Sequence, residues 1–180
     1  MEMLLFSERS VWTMIHGIGL GGGALMALAA ALFFLRATQP VPGDEAAAAS
    51  QARYLAWLTA LIAGLLWLTV LIGTYVSFPA YRASPPEGAI DLSRYPRSLI
   101  QSDPRTAWLH SFAMEIKEHV PWIAAMLATA VAFTTARYRS GLLKDRQLRE
   151  MVTTMLAIAF VLVAAAALLG TFINKVAPLE

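Results

Sequence analysis

The groups in this chain able to do chemistry are three histidines and one short acidic and basic run. The stretch from Trp108 to Trp122 carries His110, Glu115, Lys117, Glu118 and His119 at the head of a segment that then turns almost purely apolar. His16 opens another apolar segment and is followed by five glycines between Gly17 and Gly23. Ionisable groups at the edge of a membrane span, or just inside it, are costly and mark functional sites. Imidazole suits iron and zinc, and paired imidazoles on facing helices are a way for a helical bundle to hold a cofactor.

The elements that position these groups follow from composition. The chain has 180 residues, is 58% hydrophobic and only 14% charged, and its charges fall between long apolar runs. Such runs read as bilayer-spanning helices, because roughly 20 apolar residues are needed to cross. The expected fold is therefore an all-α integral membrane protein, a four-transmembrane-helix up-and-down bundle in one domain. The spans cover about residues 11–35, 54–78, 106–136 and 151–173, with a polar connection over 80–103. The net charge of +2 comes largely from arginines flanking the runs, which gives no reason to expect nucleic acid. With no cysteine, disulfides, thiolate metal sites and the C-x-x-C-H haem attachment are all excluded. The first run lacks a basic leader and is too long for a signal-peptide core, so it is expected to stay as a membrane anchor.

Along the chain, Gly17/Gly21 and Gly19/Gly23 fit either a close helix-packing seam or clearance for a flat ligand. Pro40, Pro42 and Gly43 break the first span from the second, and Ala46–Ala49 offer an extra helical turn leading into it. Trp67, Thr69, Gly64 and Gly73 read as packing positions. The proline-rich connection is long enough to fold over one mouth of the bundle. Ser102 or Asp103 is an N-cap candidate, and Pro104 suits the first helical position of the third span. Arg137, Arg139, Lys144, Arg146 and Arg149 crowd a short loop, which points that loop to the cytoplasm and both termini to the extracytoplasmic side.

Depth separates the histidines. His16 lies 20 residues before Arg36 and His119 lies 18 before Arg137, about 30 and 27 Å at the helical rise. His110, by the same count, lies about 40 Å from Arg137, well above the other two. The nine residues between His110 and His119 turn them to opposite sides of the third helix. The His119 face carries Trp108, Phe112, Glu115, Ile123 and Met126, while Lys117 points nearly opposite and is expected to snorkel to the headgroups. The His16 face includes Trp12, Leu20, Gly23 and Ala27. First and third helices of an up-down bundle can sit diagonally across the core, so the expectation is one b-type haem held by His16 and His119, with Gly19 and Gly23 giving clearance.

In architecture this resembles the four-helix membrane cytochrome b subunits that anchor respiratory and other redox complexes, on the strength of the His16/His119 pair and the Gly17–Gly23 run. The resemblance implies a membrane-anchored electron-transfer subunit with partners among membrane or extracytoplasmic redox subunits, and with quinone as a further partner. Many such subunits hold two haems with four histidines. Three histidines depart from that pattern and exclude two bis-histidine haems. Arg9, Arg82 and Arg105 near the same mouth would pair with haem propionates, since arginine matches carboxylates with two parallel bonds. His110 would contact a propionate or quinone, or else bond to water or a loop carbonyl. A rival reading is a zinc or iron site built from Glu115 and His119, one helical turn apart, with Glu118 and His16 completing the shell. Another is a non-catalytic structural or assembly subunit, with Pro121 freeing the carbonyl of Lys117 for a polar contact. Stand-alone catalysis has least in its favour: there is no nucleotide loop and no large extramembrane domain.

Overall fold

The computed structural model describes residues 7–38 and 43–178. Four long helices, α1 (Glu8–Ala37), α2 (Glu45–Arg82), α4 (Leu109–Tyr138) and α6 (Arg146–Val176), carry most of the chain, and each has 30 to 38 residues. Two short ones, α3 (Pro96–Ser102) and α5 (Ser140–Lys144), sit in the connections. Among the described residues there is no strand. Thirty residues at 1.5 Å each give about 45 Å, more than the ~30 Å of a hydrocarbon layer. All four are long and apolar enough to cross a membrane, as a multi-pass integral membrane protein requires.

Local chemistry sets the helix ends. Ser7 caps α1 by accepting from the Ser10 amide, Asp44 caps α2 through the Ala47 amide, and Asp145 caps α6 through the Leu148 amide. Asp44 caps α2 ten residues before Tyr54, the expected start of the apolar span, so Ala46–Ala49 do form a leading turn. Between α4 and α5 the chain reverses at Arg139, whose φ of 49° is left-handed. The third long helix begins at Leu109, later than Pro104. Asp103 instead caps a turn: its carboxylate takes the Arg105 amide and its carbonyl takes those of Thr106 and Ala107. Pro96, in the first turn of α3, starts a separate short helix ahead of that turn.

The long helices pack in a ring, α1 on α2, α2 on α4, α4 on α6 and α6 on α1, which leaves α1 and α4 on a diagonal. Small residues make the inner surface: Ala24, Ala31, Ala52, Ala124, Ala125, Ala128 and Ala159 are buried, while Trp57 and Phe133 stand 78% and 71% exposed. Small side chains let backbones approach, and in lipid nothing drives the large apolar ones inward.

The interior is divided. A large apolar core runs from Leu35, Ala52 and Val131 to Ala24, Val70, Ala124 and Val163. A second, smaller one joins Tyr81, Ile100, Leu109, Ala113, Met114 and Ile173, where α3 folds over the mouth of the bundle.

Candidate functional site

Between the two cores lies a polar layer. His16, Gly73 and Lys117 each stand 20 residues from an arginine, Arg36, Arg53 and Arg137 respectively, and Gly170 stands 21 from Arg149. All four are thus about 30 Å along the bundle from one ring of arginines.

His16 points inward and its ring edge rests on α2. A Cβ built on Gly73 would lie 2.6 Å from His16 Cε1 and 3.2 and 3.3 Å from the two ring nitrogens, so glycine is what admits the imidazole. Nδ1 is buried and has no hydrogen-bond partner among the described residues. The backbone of Thr69 and the charge of Lys117 both act on the ring. The helices are wound wider here. Ile15–Gly22 and Gly73–Ser77 are π-helical, as is Leu109–Met114 at the entrance of α4, and such turns are frequent at functional sites.

Lys117 enters the same layer from the diagonal helix. Its Nζ rests on α6 at Gly170, where an added Cβ would meet it at 2.5 Å. Among the described residues it has no acidic partner and no hydrogen bond. Lys117 does point away from His119, as its angular position requires, but that direction is the bundle interior and not the headgroups. The buried hydroxyl of Ser77, one turn from Gly73, also lacks a partner among the described residues.

Toward the mouth, His110 Nδ1 and the Tyr81 hydroxyl are 3.0 Å apart, and Tyr81 stacks on Phe78. The charges of Arg97 and Glu118 reach both members of this pair. The Tyr81 hydroxyl thus takes the place of the water or loop carbonyl expected for His110.

His119 lies outside. Its side chain is 72% exposed; Nδ1 is 2.8 Å from the Glu115 carbonyl and 3.8 Å from that residue's carboxylate, which is itself exposed. Trp108, Phe112, Ile123 and Met126 share this outer face. His16 and His119 are therefore not brought together, and the residues do not fit a haem clamped between them inside this bundle. The other residues expected around such a haem are also dispersed. Gly19 is exposed with open space beside it, and Gly23 packs 3.8 Å from Leu65. Arg105 is held by Asp103 at 2.8 Å, Arg82 lies over the Phe78 ring, and Arg9 reaches the Ala177 carbonyl. Nor do Glu118 and His16 join Glu115 and His119: among the described residues no three His, Asp or Glu side chains gather as a metal shell.

Gly73, expected as a packing position, packs on His16, while Gly170, Ser77 and the inward direction of Lys117 are what the residue pattern left unread. The signal available for the two glycines was depth, since each stands within one residue of the count from its arginine that the ionisable group it admits has. No protein-family model, curated protein or solved structure matches the chain.

Proposed function

We propose that the chain is a membrane-embedded subunit of a larger complex and that it contributes a proton-exchanging site, Lys117 with His16, inside the bundle. The observation behind this reading is the Lys117 amine, turned into an interior where no acid among the described residues meets it and acting electrically on His16. Charge in such a place is costly unless paired, so the protonation of one group depends on that of the other. The Tyr81–His110 pair and Glu118 supply groups able to pass protons between this layer and the capped mouth. Substrate chemistry then belongs to partner subunits, because the described residues beyond the four helices are connections, the longest of them folded over the mouth.

The test uses the three lysines, Lys117, Lys144 and Lys175. With ¹⁵N-lysine-labelled protein in micelles, the Lys117 amine is expected to titrate apart from the other two and to shift its titration in His16→Phe. Titration indistinguishable from Lys144, and indifferent to His16→Phe, would end the proposal.

A second reading keeps a haem but moves it to the outside of the bundle. It is favoured by one observation: the Glu115 carbonyl engages Nδ1 of His119, leaving Nε2 as the free nitrogen of an exposed ring. A partner subunit would then supply the second ligand. A reduced-minus-oxidised spectrum of the complex from native membranes decides it. A b-type signal lost in His119→Ala and kept in His16→Ala supports this reading, and a colourless complex discards it.

A further inference from the structure

At the end of the bundle away from the polar layer, α1 and α2 leave an apolar groove of about 490 Å³, lined by Ala30, Phe33, Phe34, Ala37, Thr38 and Tyr54. Ala30 and Ala37 are seven residues apart, so the groove runs about 10 Å along α1. Its walls are aromatic, with the Phe34 and Tyr54 rings 5.1 Å apart.

Among the described residues the cations at this end are mostly without an acidic partner, Arg137, Arg139 and Arg149 included, and two of the unpaired ones stand beside the groove in sequence. Lys144 is held by Glu45 at 2.6 Å and Arg146 by Glu150 at 2.7 Å. Arg36 and Arg53 have no acidic partner among the described residues, and both are exposed. Each adjoins a groove residue in sequence, Arg36 beside Ala37 and Arg53 beside Tyr54. An apolar groove with two exposed arginines one position from its lining residues, within reach of long flexible side chains, matches a molecule with a hydrocarbon chain and an anionic phosphate head.

We propose that this groove is a binding site for an anionic phospholipid, one acyl chain lying on Ala30 and Ala37 between Phe33, Phe34 and Tyr54, and the phosphate meeting Arg36 and Arg53. Guanidinium suits this head because its fork donates paired bonds to phosphate oxygens. The site rests on the membrane reading of the fold and not on the Lys117 site, so each fails separately.

The experiment is native mass spectrometry of the full chain from mixed micelles of phosphatidylglycerol and phosphatidylcholine with identical acyl chains. Phosphatidylglycerol should be retained preferentially. Each arginine should contribute about fivefold to that preference, so Arg36→Gln with Arg53→Gln removes roughly 25-fold. Ala30→Leu, which fills the groove with both arginines intact, should reduce retention of both lipids, and glycerol phosphate without chains should not compete. Thermal unfolding of each variant establishes that it is folded. Equal retention of the two lipids by the wild type, an unchanged preference in the folded double variant, or undiminished retention by folded Ala30→Leu each overturns the proposal.

Discussion

Replacing Gly73 by alanine tests the inward placement of His16 directly. Carbon atoms in good contact sit about 3.5–4.0 Å apart. The new methyl would stand 2.6 Å from Cε1, short by about 1 Å, with the ring nitrogens crowded as well. Overpacking of this kind costs about 1–3 kcal/mol. Against it stands the helix propensity of alanine, worth about 1 kcal/mol over glycine. Gly64, on the same helix, has open space where its Cβ would go, so alanine there keeps the gain without the clash. The two variants should differ by about 1–3 kcal/mol, which for a chain of this size is a gap of roughly 2–12 °C in unfolding midpoint. Thermal unfolding followed by tryptophan emission in a single detergent measures it. The combination with His16→Ala should close most of the gap, because the clash then has no second partner. Gly73→Ala as benign as Gly64→Ala, or a gap untouched by His16→Ala, would refute the packing.

Other consequences can be read in the same assay. Lys117→Met should leave the midpoint unchanged or raise it, since a thioether chain fits the Gly170 contact without carrying charge; a large drop would mean that the amine has a structural partner. Tyr81→Phe removes the bond to His110 and should cost about 0.5–1.5 kcal/mol, a fall of a few degrees. His119→Ala, on the outer face, should stay within about 0.5 kcal/mol of wild type, and a strong loss would place that ring inside. Acid should loosen the cap. Arg105, through its side chain and then its amide, holds the Asp103 carboxyl below its ordinary value of 3.8, and the Ser93 amide does the same for Asp91. For carboxyls lowered in the fold, the contribution is full above the ordinary carboxylate value and fades as pH falls through the lowered ones. Protection factors of residues 91–106, corrected for the intrinsic pH dependence of exchange, should therefore fall once the pH drops below the ordinary carboxylate value, relative to about pH 6; identical protection factors at both would deny these bonds any role in ordering the cap.

Run length and hydropathy made the four helices legible, because crossing an apolar layer demands an apolar stretch whatever it packs against. The helices extend past the apolar runs at both ends, since Ser7, Asp44 and Asp145 cap beyond the hydrophobic residues. The diagonal placement of α1 and α4 and the folding of the 80–103 connection over the mouth also followed from order and length. Which face turns inward did not. In a soluble helix the large apolar side chains habitually mark the core, and the pairing of His119 with His16 at one depth turned a face that also carries Phe112, Ile123 and Met126 inward. Where both faces meet apolar surroundings the habit fails, and close approach decides instead. The Ala113, Ala124 and Ala128 face packs inward, carrying Lys117 with it and leaving His119 outside.

That choice of face also explains why the polar layer joins the helices in two pairs. His16 of α1 lies on Gly73 of α2, while Lys117 of α4 lies on Gly170 of α6, so each ionisable group is seated on the helix next to its own. Across the diagonal, the charge of Lys117 acts on His16. A change of protonation at either group alters the electrostatic cost of both seats at once, and it does so where Ile15–Gly22 and Gly73–Ser77 are already wound wide. The apolar core on the arginine side has no such seats, its buried polar contact being the Thr59–Thr135 hydroxyl pair at 2.7 Å. On the proposed function, any response to a change of charge is expected in the capped half of the bundle, between the polar layer and the Tyr81–His110 pair, and not in the half packed through alanine.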